Sequence, residues 1–191
     1  KSSYLKWLAP LAIVLAIACY FGFKGSTKPS PQPQPEPSDS VLVESATAYT
    51  GLIDGYPYVD LGLSVKWAAY NVGADSPEGY GDYFAWGETL PKSVYDLSTY
   101  KYCKGSYDTL TKYNTKSSHG TVDNNTVLEV VDDAATANWG NSWRMPTHAE
   151  QEELIEKCTW TWTTRNGVNG YKVTGPNGNS IFLPAAGHRY G

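Results

Sequence analysis

The stretch Trp139-Gly-Asn-Ser-Trp-Arg-Met-Pro-Thr-His-Ala-Glu150 contains the signals that decide the fold. Thr147 and Glu150 have the spacing of a capping box, in which the hydroxyl and the carboxylate each accept a backbone N–H of the first helical turn. Pro146 fixes its own φ and keeps the residue before it extended. The stretch therefore predicts an extended aromatic segment that turns abruptly into a helix from His148 to about Lys157.

Downstream of this helix the sequence predicts a three-stranded meander. The run Thr159-Trp-Thr-Trp-Thr163 alternates between aromatic and polar residues, which is typical of a strand. Three Asn-Gly dipeptides follow, and they favour the positive φ of tight turns. We expect strands at Trp160–Thr164, Tyr171–Thr174 and Ser180–Leu183. In the helix itself, Leu154 and Ile155 are expected to form the buried side.

Upstream of the junction the patterns are shorter. Val59 to Trp67 alternates with period two, which predicts a strand or strand pair with one buried face. Tyr83 to Trp86 is predicted to be a short aromatic strand. Residues 88–125 are polar and lack sustained periodicity, so we expect a long irregular region. Residues 127–138 predict a short helix, because alanines dominate their second half.

These motifs resemble a known family. Trp143-Arg-Met-Pro-Thr-His-Ala-Glu150 is similar to the Trp-Arg-(Leu/Met)-Pro-Thr-x-x-Glu signature of the Fibrobacter succinogenes major paralogous domain family. A shorter form of that signature occurs in the formylglycine-generating enzyme family. The resemblance covers most of the chain from Tyr56 onward and includes Tyr58–Leu63, Trp67–Ala74, Tyr80–Glu88, Asp132–Ala135 and Ile181–Gly187. It implies an α+β fold: a C-type lectin-like domain with two short helices, a small antiparallel sheet and a long irregular loop region.

The resemblance also implies a C-terminally truncated domain. Family members continue for several more strands beyond the point that corresponds to Gly191, including a closing strand that pairs with the first strand of the domain. We therefore expect the first strand to have an unpaired edge. The sequence begins with Lys1 rather than Met, so we also expect residues before it.

The N-terminal part predicts an anchor and a spacer. Residues 1–6 are a short basic flank, and the uncharged run 7–23 would span roughly 25 Å as a helix, which fits a transmembrane anchor or signal segment. Ala16-Ile-Ala-Cys19 loosely matches a bacterial lipobox, so lipidation of Cys19 is one alternative and a buried core helix is another. Residues 24–40 form a Pro-rich linker, expected to be an extended polyproline spacer; residues 41–55 connect it to the domain at 56–191.

The composition limits the classes of partner that the chain is expected to bind. The chain has 191 residues and a formal net charge of −4, which suits one domain plus an anchor. Residues 1–28 contain four lysines and no acid, so the remainder has 11 basic and 19 acidic residues. This charge disfavours nucleic acid, whose phosphates need the opposite sign. The 15 Tyr and 7 Trp suit either a core or an aromatic-rich contact surface.

The folded part contains two cysteines, Cys103 and Cys158. An oxidising compartment would permit them to pair, so we expect a disulfide between them, with two buried thiols as the alternative. Relatives in the resembling family often have a cysteine where this chain has Tyr70, which leaves the pairing open.

No residue pattern predicts a catalytic centre, a metal site or a cofactor. His119, His148 and His188 share no ligand spacing with cysteines or carboxylates, and the lectin-type calcium motifs are absent from the sequence. Asp132 and Asp133 would diverge by about 100° on a helix, so we interpret them as capping residues. Arg144, near the junction, is interpreted as an interior ion-pair or carbonyl anchor.

The sequence therefore predicts a noncatalytic recognition domain, anchored to a bacterial cell envelope with the domain extracytoplasmic, that binds a glycan or a protein. In the resembling fold, ligands meet the loop region and the C-terminal segment, which makes His188, Arg189 and Tyr190 the candidate ligand-binding residues. The membrane would be contacted through the N-terminal segment. The alternatives are a formylglycine-generating-enzyme-like oxidase, whose catalytic cysteines would lie beyond Gly191, and a structural subunit of the envelope or an appendage.

Overall fold

The structure is a computed structural model that describes residues 49–189. The expected anchor, Cys19 and the Pro-rich linker lie outside these residues. Within residues 49–189, no helix has the length and apolar character needed to cross a membrane.

The described residues form a small α+β fold with two antiparallel sheets, which confirms the predicted class. The first sheet has the strand order β1-β2-β3 and the second has the order β4-β5-β6. The strands are β1 Gly51–Ile53, β2 Tyr56–Val59, β3 Trp67–Ala68, β4 Thr159–Arg165, β5 Val168–Thr174 and β6 Ser180–Pro184. The helices are α1 Ala134–Trp139 and α2 His148–Lys157, with short 3-10 turns at Ser117–His119 and Val130–Asp132.

The junction before α2 forms as predicted. The Thr147 side chain accepts the backbone N–H of Glu150, and the Glu150 carboxylate accepts the backbone N–H of Thr147 at 2.7 Å, which completes the capping box. The bounds of α2 agree with the sequence prediction. Its buried side does not, because Leu154 is buried whereas Ile155 is 47% exposed. Adjacent helical residues point about 100° apart, so a narrow buried face of α2 can include Leu154 or Ile155 but not both.

The meander also forms, with somewhat longer strands than predicted. Trp162 of β4 lies opposite Tyr171 of β5, and Tyr171 lies opposite Leu183 of β6. The β4–β5 turn uses Asn166 and Gly167 at φ values of 47° and 81°, the positive φ that the Asn-Gly signal predicts.

An apolar core joins the two sheets and α2. Its buried members are Val59, Leu61, Ala69, Leu154, Val173 and Ile181. Gly175 lies so close to the chain at Leu61 that an added Cβ would be 2.0 Å from the carbonyl oxygen of Leu61. The core therefore requires glycine where these two backbones cross.

A second cluster packs the junction against the first sheet. Trp139 stacks on Tyr56 with ring centroids 4.7 Å apart, and Trp143 meets Trp139 edge-on at 5.0 Å. The indole N–H of Trp143 donates to the carbonyl oxygen of Ile53 in β1 at 3.0 Å. Strand β1 is an edge strand that pairs with β2 alone in the described part of the chain.

Three predicted elements differ in the structure. Residues 60–66, expected to belong to a strand or strand pair, form a bent connection between β2 and β3. At its start the Asp60 carboxylate accepts the backbone N–H of Gly62 at 2.8 Å. The alternation of burial nevertheless persists there. Tyr83–Trp86 is not a strand, and the predicted helix at residues 127–138 is interrupted where Asp133 is extended, with φ −92° and ψ 116°.

Candidate binding surface

The C-terminal segment, residues 185–189, lies against Tyr83, just before the long loop region. The guanidinium carbon of Arg189 is 4.7 Å from the ring centroid of Tyr83, a cation–π contact. The Tyr83 hydroxyl donates a hydrogen bond to the carbonyl oxygen of Ala186. His188 and Arg189 are exposed. Two of the three predicted ligand-binding residues are thus described at this surface, and Tyr190 lies outside the described residues.

Neighbouring loop residues hold Tyr83 in place. The Tyr95 hydroxyl donates to the carbonyl oxygen of Tyr83 at 2.5 Å and accepts the backbone N–H of Lys92 at 2.9 Å. The Lys92 ammonium lies 2.8 Å from Glu88 and 5.6 Å from the Tyr95 ring centroid. We call Tyr83, Lys92, Tyr95, His188 and Arg189 the Tyr83 surface. Its two tyrosines and Lys92 are half-buried, and His188 and Arg189 are exposed.

A buried carboxylate holds the loop region together. The Asp132 side chain is 2% exposed and lies 2.8 Å from the Lys101 ammonium and 2.6 Å from that of Lys112. The hydroxyl of Tyr113 donates to it at 2.8 Å, and the hydroxyl of Tyr102 donates to it as well. We call these five residues the Asp132 cluster. It ties residues 101–113 to the 3-10 turn that precedes α1.

The electrostatics of this cluster favour the charged forms. Burial alone would raise the pKa of Asp132, but the hydrogen bonds from the two lysines and the two tyrosines outweigh it, so that the pKa lies well below its usual range. Hydrogen bonds to Asp132 and then to Glu129 raise the pKa of Lys112. Because every partner is already engaged in this cluster, we interpret it as a structural clamp.

A second loop carboxylate accepts backbone N–H groups. Asp123 accepts from Tyr113 at 2.8 Å, from Asn114 at 2.9 Å and from Asn125 at 3.1 Å. Burial opposes ionisation of Asp123, but these backbone hydrogen bonds hold its pKa below the usual range. In this irregular region the backbone N–H groups thus donate to side-chain carboxylates instead of to the carbonyl groups of a neighbouring strand.

The adjacent residue Asp133 has a different role from Asp132. Its carboxylate accepts the backbone N–H of Thr136 at 2.9 Å, which caps α1, and that of Met145 at 2.8 Å, which ties α1 to the junction. The two carboxylates therefore diverge and share no partner, as predicted. The capping interpretation is correct for Asp133 and wrong for Asp132, because Asp132 lies before the helix and faces the loop lysines.

Arg144 pairs with Glu150 through its two terminal guanidinium nitrogens, Nη1 and Nη2, at 2.8 and 2.5 Å. This ion pair, opposed by burial, lowers the pKa of Glu150 to about 2. The Arg144 side chain is 51% exposed, so the ion pair lies at the surface and not in the interior. The guanidinium also donates to the carbonyl oxygen of Met145 at 3.2 Å, which agrees with the predicted carbonyl anchor. It reinforces the capping box.

The Asp132 cluster and the role of Tyr83 are not among the features predicted from the sequence. A signal for the cluster is present, because the dipeptide Lys-Tyr occurs at residues 101–102 and again at residues 112–113 of an otherwise irregular region. Each dipeptide supplies one ammonium and one hydroxyl to the same carboxylate. The Tyr83–Arg189 contact has no local signal, because 106 positions of sequence separate its members.

A small cleft lies between the loop at residues 126–130 and the junction. Its volume is about 70 Å³, and its walls include Trp86, Val127, Val130 and Met145. The indole N–H of Trp86 is buried and has no hydrogen-bond partner among the described residues. A space of this size fits a few water molecules.

Within residues 49–189, no group of three or more histidines, cysteines and acids is arranged to hold a metal ion. His119 packs on Tyr107 with ring centroids 4.6 Å apart, and the side chain of His148 is 85% exposed in the first turn of α2.

The expected disulfide is not formed, because Cys103 and Cys158 are both free thiols. The Cys103 thiol donates to the carbonyl oxygen of Leu97 at 2.8 Å, within the loop region. Cys158 packs against the apolar core, where burial raises the pKa of its thiol. The two cysteines therefore serve separate regions of the fold, and both are half-buried, close to the alternative of two buried thiols.

Comparison with known proteins gives no match to this chain from any protein-family model, curated protein or solved structure.

Proposed function

We propose that this chain is an envelope-anchored bacterial protein that displays a C-type lectin-like domain for noncatalytic recognition of a glycan or protein. The observation that carries the proposal is the contact of the exposed Arg189 with Tyr83, whose carbonyl oxygen accepts the hydroxyl of Tyr95 in the loop region. Recognition surfaces are enriched in Tyr and Arg, because both offer large contact areas with polar ends. The family signature and the Pro-rich linker of the sequence support the same function.

The Asp132 cluster also supports a recognition function, because it orders the loop region. A loop that is ordered before its ligand arrives loses less conformational entropy on binding. Glu88 links the two parts, because its carboxylate accepts the backbone N–H of Lys101 at 2.9 Å and pairs with Lys92. The Tyr83 surface is therefore connected to the Asp132 cluster by direct hydrogen bonds.

The test is a glycan-array screen, together with a pull-down from envelope extracts, of the full chain and its Arg189→Ala variant. We expect a retained ligand whose affinity falls at least about tenfold in the variant, as for a central interface arginine. Lys172→Ala, an exposed cation on β5, is the matched control and should bind like the parent chain. Retention of no ligand, together with oxidation of a peptidyl cysteine by a protein that includes the cysteines this alternative places beyond Gly191, would favour the oxidase alternative.

One observation favours the structural-subunit alternative. Val127, Val130 and Val131 are 51%, 67% and 75% exposed, respectively, in one short segment beside the Trp86 cleft. Clustered exposed apolar side chains mark contact surfaces for macromolecules. If the chain assembles through them, Val131→Lys should shift the sedimentation of the full chain to a smaller species, whereas Leu90→Lys, at another exposed apolar position, should not.

A further inference from the structure

One face of the second sheet lacks charged side chains. Successive strand residues alternate between faces, and the register therefore assigns this face without ambiguity. Its members are Trp160, Trp162, Thr164, Asn169, Tyr171, Val173, Ile181 and Leu183. The opposite face carries Arg165 and Lys172.

Burial along this face changes from one end to the other. The inner end packs in the apolar core, where the indole N–H of Trp160 donates to the carbonyl oxygen of Leu154 at 3.2 Å. Farther out, Trp162 is 55% exposed, more than any other aromatic side chain in residues 49–189. An exposed indole on a strand exposes a broad apolar ring to solvent.

The exposed ring is held in a fixed orientation. Trp162 contacts Tyr171 edge-on with ring centroids 4.9 Å apart, and Tyr171 contacts Trp160 in the same manner at 5.6 Å. Trp160 is anchored in the core, so the three rings form one supported row. Rigid Trp and Tyr side chains lose little rotamer entropy when a ligand packs on them.

Polar groups lie next to the rings on the same face. The hydroxyl of Thr164 donates to the carboxamide oxygen of Asn169 at 2.7 Å, which orients the carboxamide at the outer end of the row. Both residues are exposed. The surface therefore combines an apolar ring face with neutral hydrogen-bonding groups one residue pair away.

We propose that the surface of Trp162, Thr164, Asn169 and Tyr171 is a carbohydrate-binding platform for neutral polysaccharides. The C–H face of a pyranose ring is apolar and flat, so it packs on an indole, while its hydroxyls bond to the carboxamide and the threonine hydroxyl. The absence of charge on this face complements an uncharged ligand, and the chain's net charge of −4 disfavours anionic polymers. The inference rests on the proposed recognition function and adds a ligand class and a second contact surface.

The test is affinity electrophoresis of the full 191-residue chain in gels that contain soluble xylan, glucomannan or mixed-linkage β-glucan. A non-glycosidic detergent is used, since a sugar headgroup would compete. We expect retardation by at least one of these polysaccharides and none by the polyanion polygalacturonate. Trp162→Ala should weaken binding at least about tenfold, and Trp162→Phe should retain part of it.

Two controls separate the platform from other surfaces. Lys172→Ala alters the opposite face of the same sheet, and Tyr107→Ala removes an aromatic ring that is 37% exposed elsewhere. Both should be retarded like the parent chain. Circular dichroism of each variant tests whether it folds. If Trp162→Ala does not fold, Trp162→Phe replaces it in the binding measurement and should show partly reduced retardation.

Several results would overturn the platform. No retardation in any polysaccharide gel would do so, as would equal retardation of the parent chain and Trp162→Ala. Ligand binding that is lost in Arg189→Ala but kept in Trp162→Ala would leave the proposed function intact and remove the platform. Capture of a protein alone through Trp162 would overturn the carbohydrate class.

Discussion

The sheet region and the loop region of this domain are stabilised by different forces. The sheet region comprises α2 and β4–β6 and packs on the apolar core, in which Leu61 and Val173 are fully buried. The loop region, residues 88–132, contains little regular structure and is held by the carboxylates of Asp132 and Asp123. The free energy of apolar burial does not depend on pH, whereas that of ion pairs does. The loop region should therefore lose its structure in acid before the sheet region does.

This difference bears on function. Of the proposed contact surfaces, the Tyr83 surface includes Lys92 and Tyr95 of the loop region, whereas the proposed carbohydrate platform belongs to the sheet region. A perturbation of the clamp should therefore affect the first surface and spare the second. Separate stabilisation of the two regions can be tested by perturbing the apolar core or the loop carboxylates.

The largest expected effect comes from the apolar core. Leu61→Ala removes a side chain with 0% exposure, and the lost burial together with the cavity should cost about 2–5 kcal/mol. Urea denaturation of the full chain, followed by the circular dichroism of the sheet, measures this loss. Leu90→Ala, at a position 72% exposed, is the control and should change the free energy of unfolding little. Equal effects of the two variants would contradict the assigned core.

Acid should weaken the loop region next. The folded-state pKa values of Asp132 and Asp123 are depressed, so their contribution is complete above the unfolded-state values near pH 4 and is lost as pH falls below them. For the buried Asp132 this contribution is about 2 kcal/mol. Asp123 is exposed, so solvent screening makes its contribution smaller. Near-ultraviolet circular dichroism of the loop tyrosines should change between about pH 4 and pH 2, before the far-ultraviolet signal of the sheet is lost. Simultaneous loss of both signals would contradict separate stabilisation.

The capping box should contribute less. Thr147→Ala removes the hydroxyl that accepts the backbone N–H of Glu150, at a cost of about 1 kcal/mol. Thr147→Ser keeps the hydroxyl and should retain most of the stability, as measured by urea denaturation. If serine were no better than alanine, the hydroxyl would not be the cause.

The smallest effect is expected at Ile155. This residue is 47% exposed, so Ile155→Ala should change the free energy of unfolding by no more than about 0.5 kcal/mol. Leu154→Ala, one residue earlier and 4% exposed, should cost about 2–5 kcal/mol. A large effect at Ile155 would restore the sequence-based expectation that both residues are buried.

The sheet region was largely predictable because its signals are local. The capping box of Thr147 and Glu150, the alternation in β4 and the Asn-Gly turns each act within a few residues, and together they predicted α2 and the meander. The break at Asp133 was not predictable in this way, because the bond from Met145 that favours the extended conformation comes from 12 residues away.

The loop region was not predictable in detail because its contacts are distant in sequence. Lys101 binds Asp132, which lies 31 positions later in the sequence, and no periodic pattern of residues predicts such a contact. The candidate site shows the same limit. The family resemblance implies that the C-terminal segment meets a ligand, but neither it nor any local pattern predicts the contact of Arg189 with Tyr83, a residue expected to lie in a strand.

The most direct test of separate stabilisation is amide hydrogen exchange, resolved by peptide, in the parent chain and in Asp132→Ala. This variant removes the acceptor that two lysines and two tyrosines share. Because the ammonium groups of Lys101 and Lys112 keep 51% and 22% exposure, the cost should be smaller than that of losing a core side chain. We predict that protection falls across residues 88–132 while β4, β5 and β6 exchange as in the parent chain. Uniform loss of protection in both regions, or no change at residues 88–132, would contradict the account.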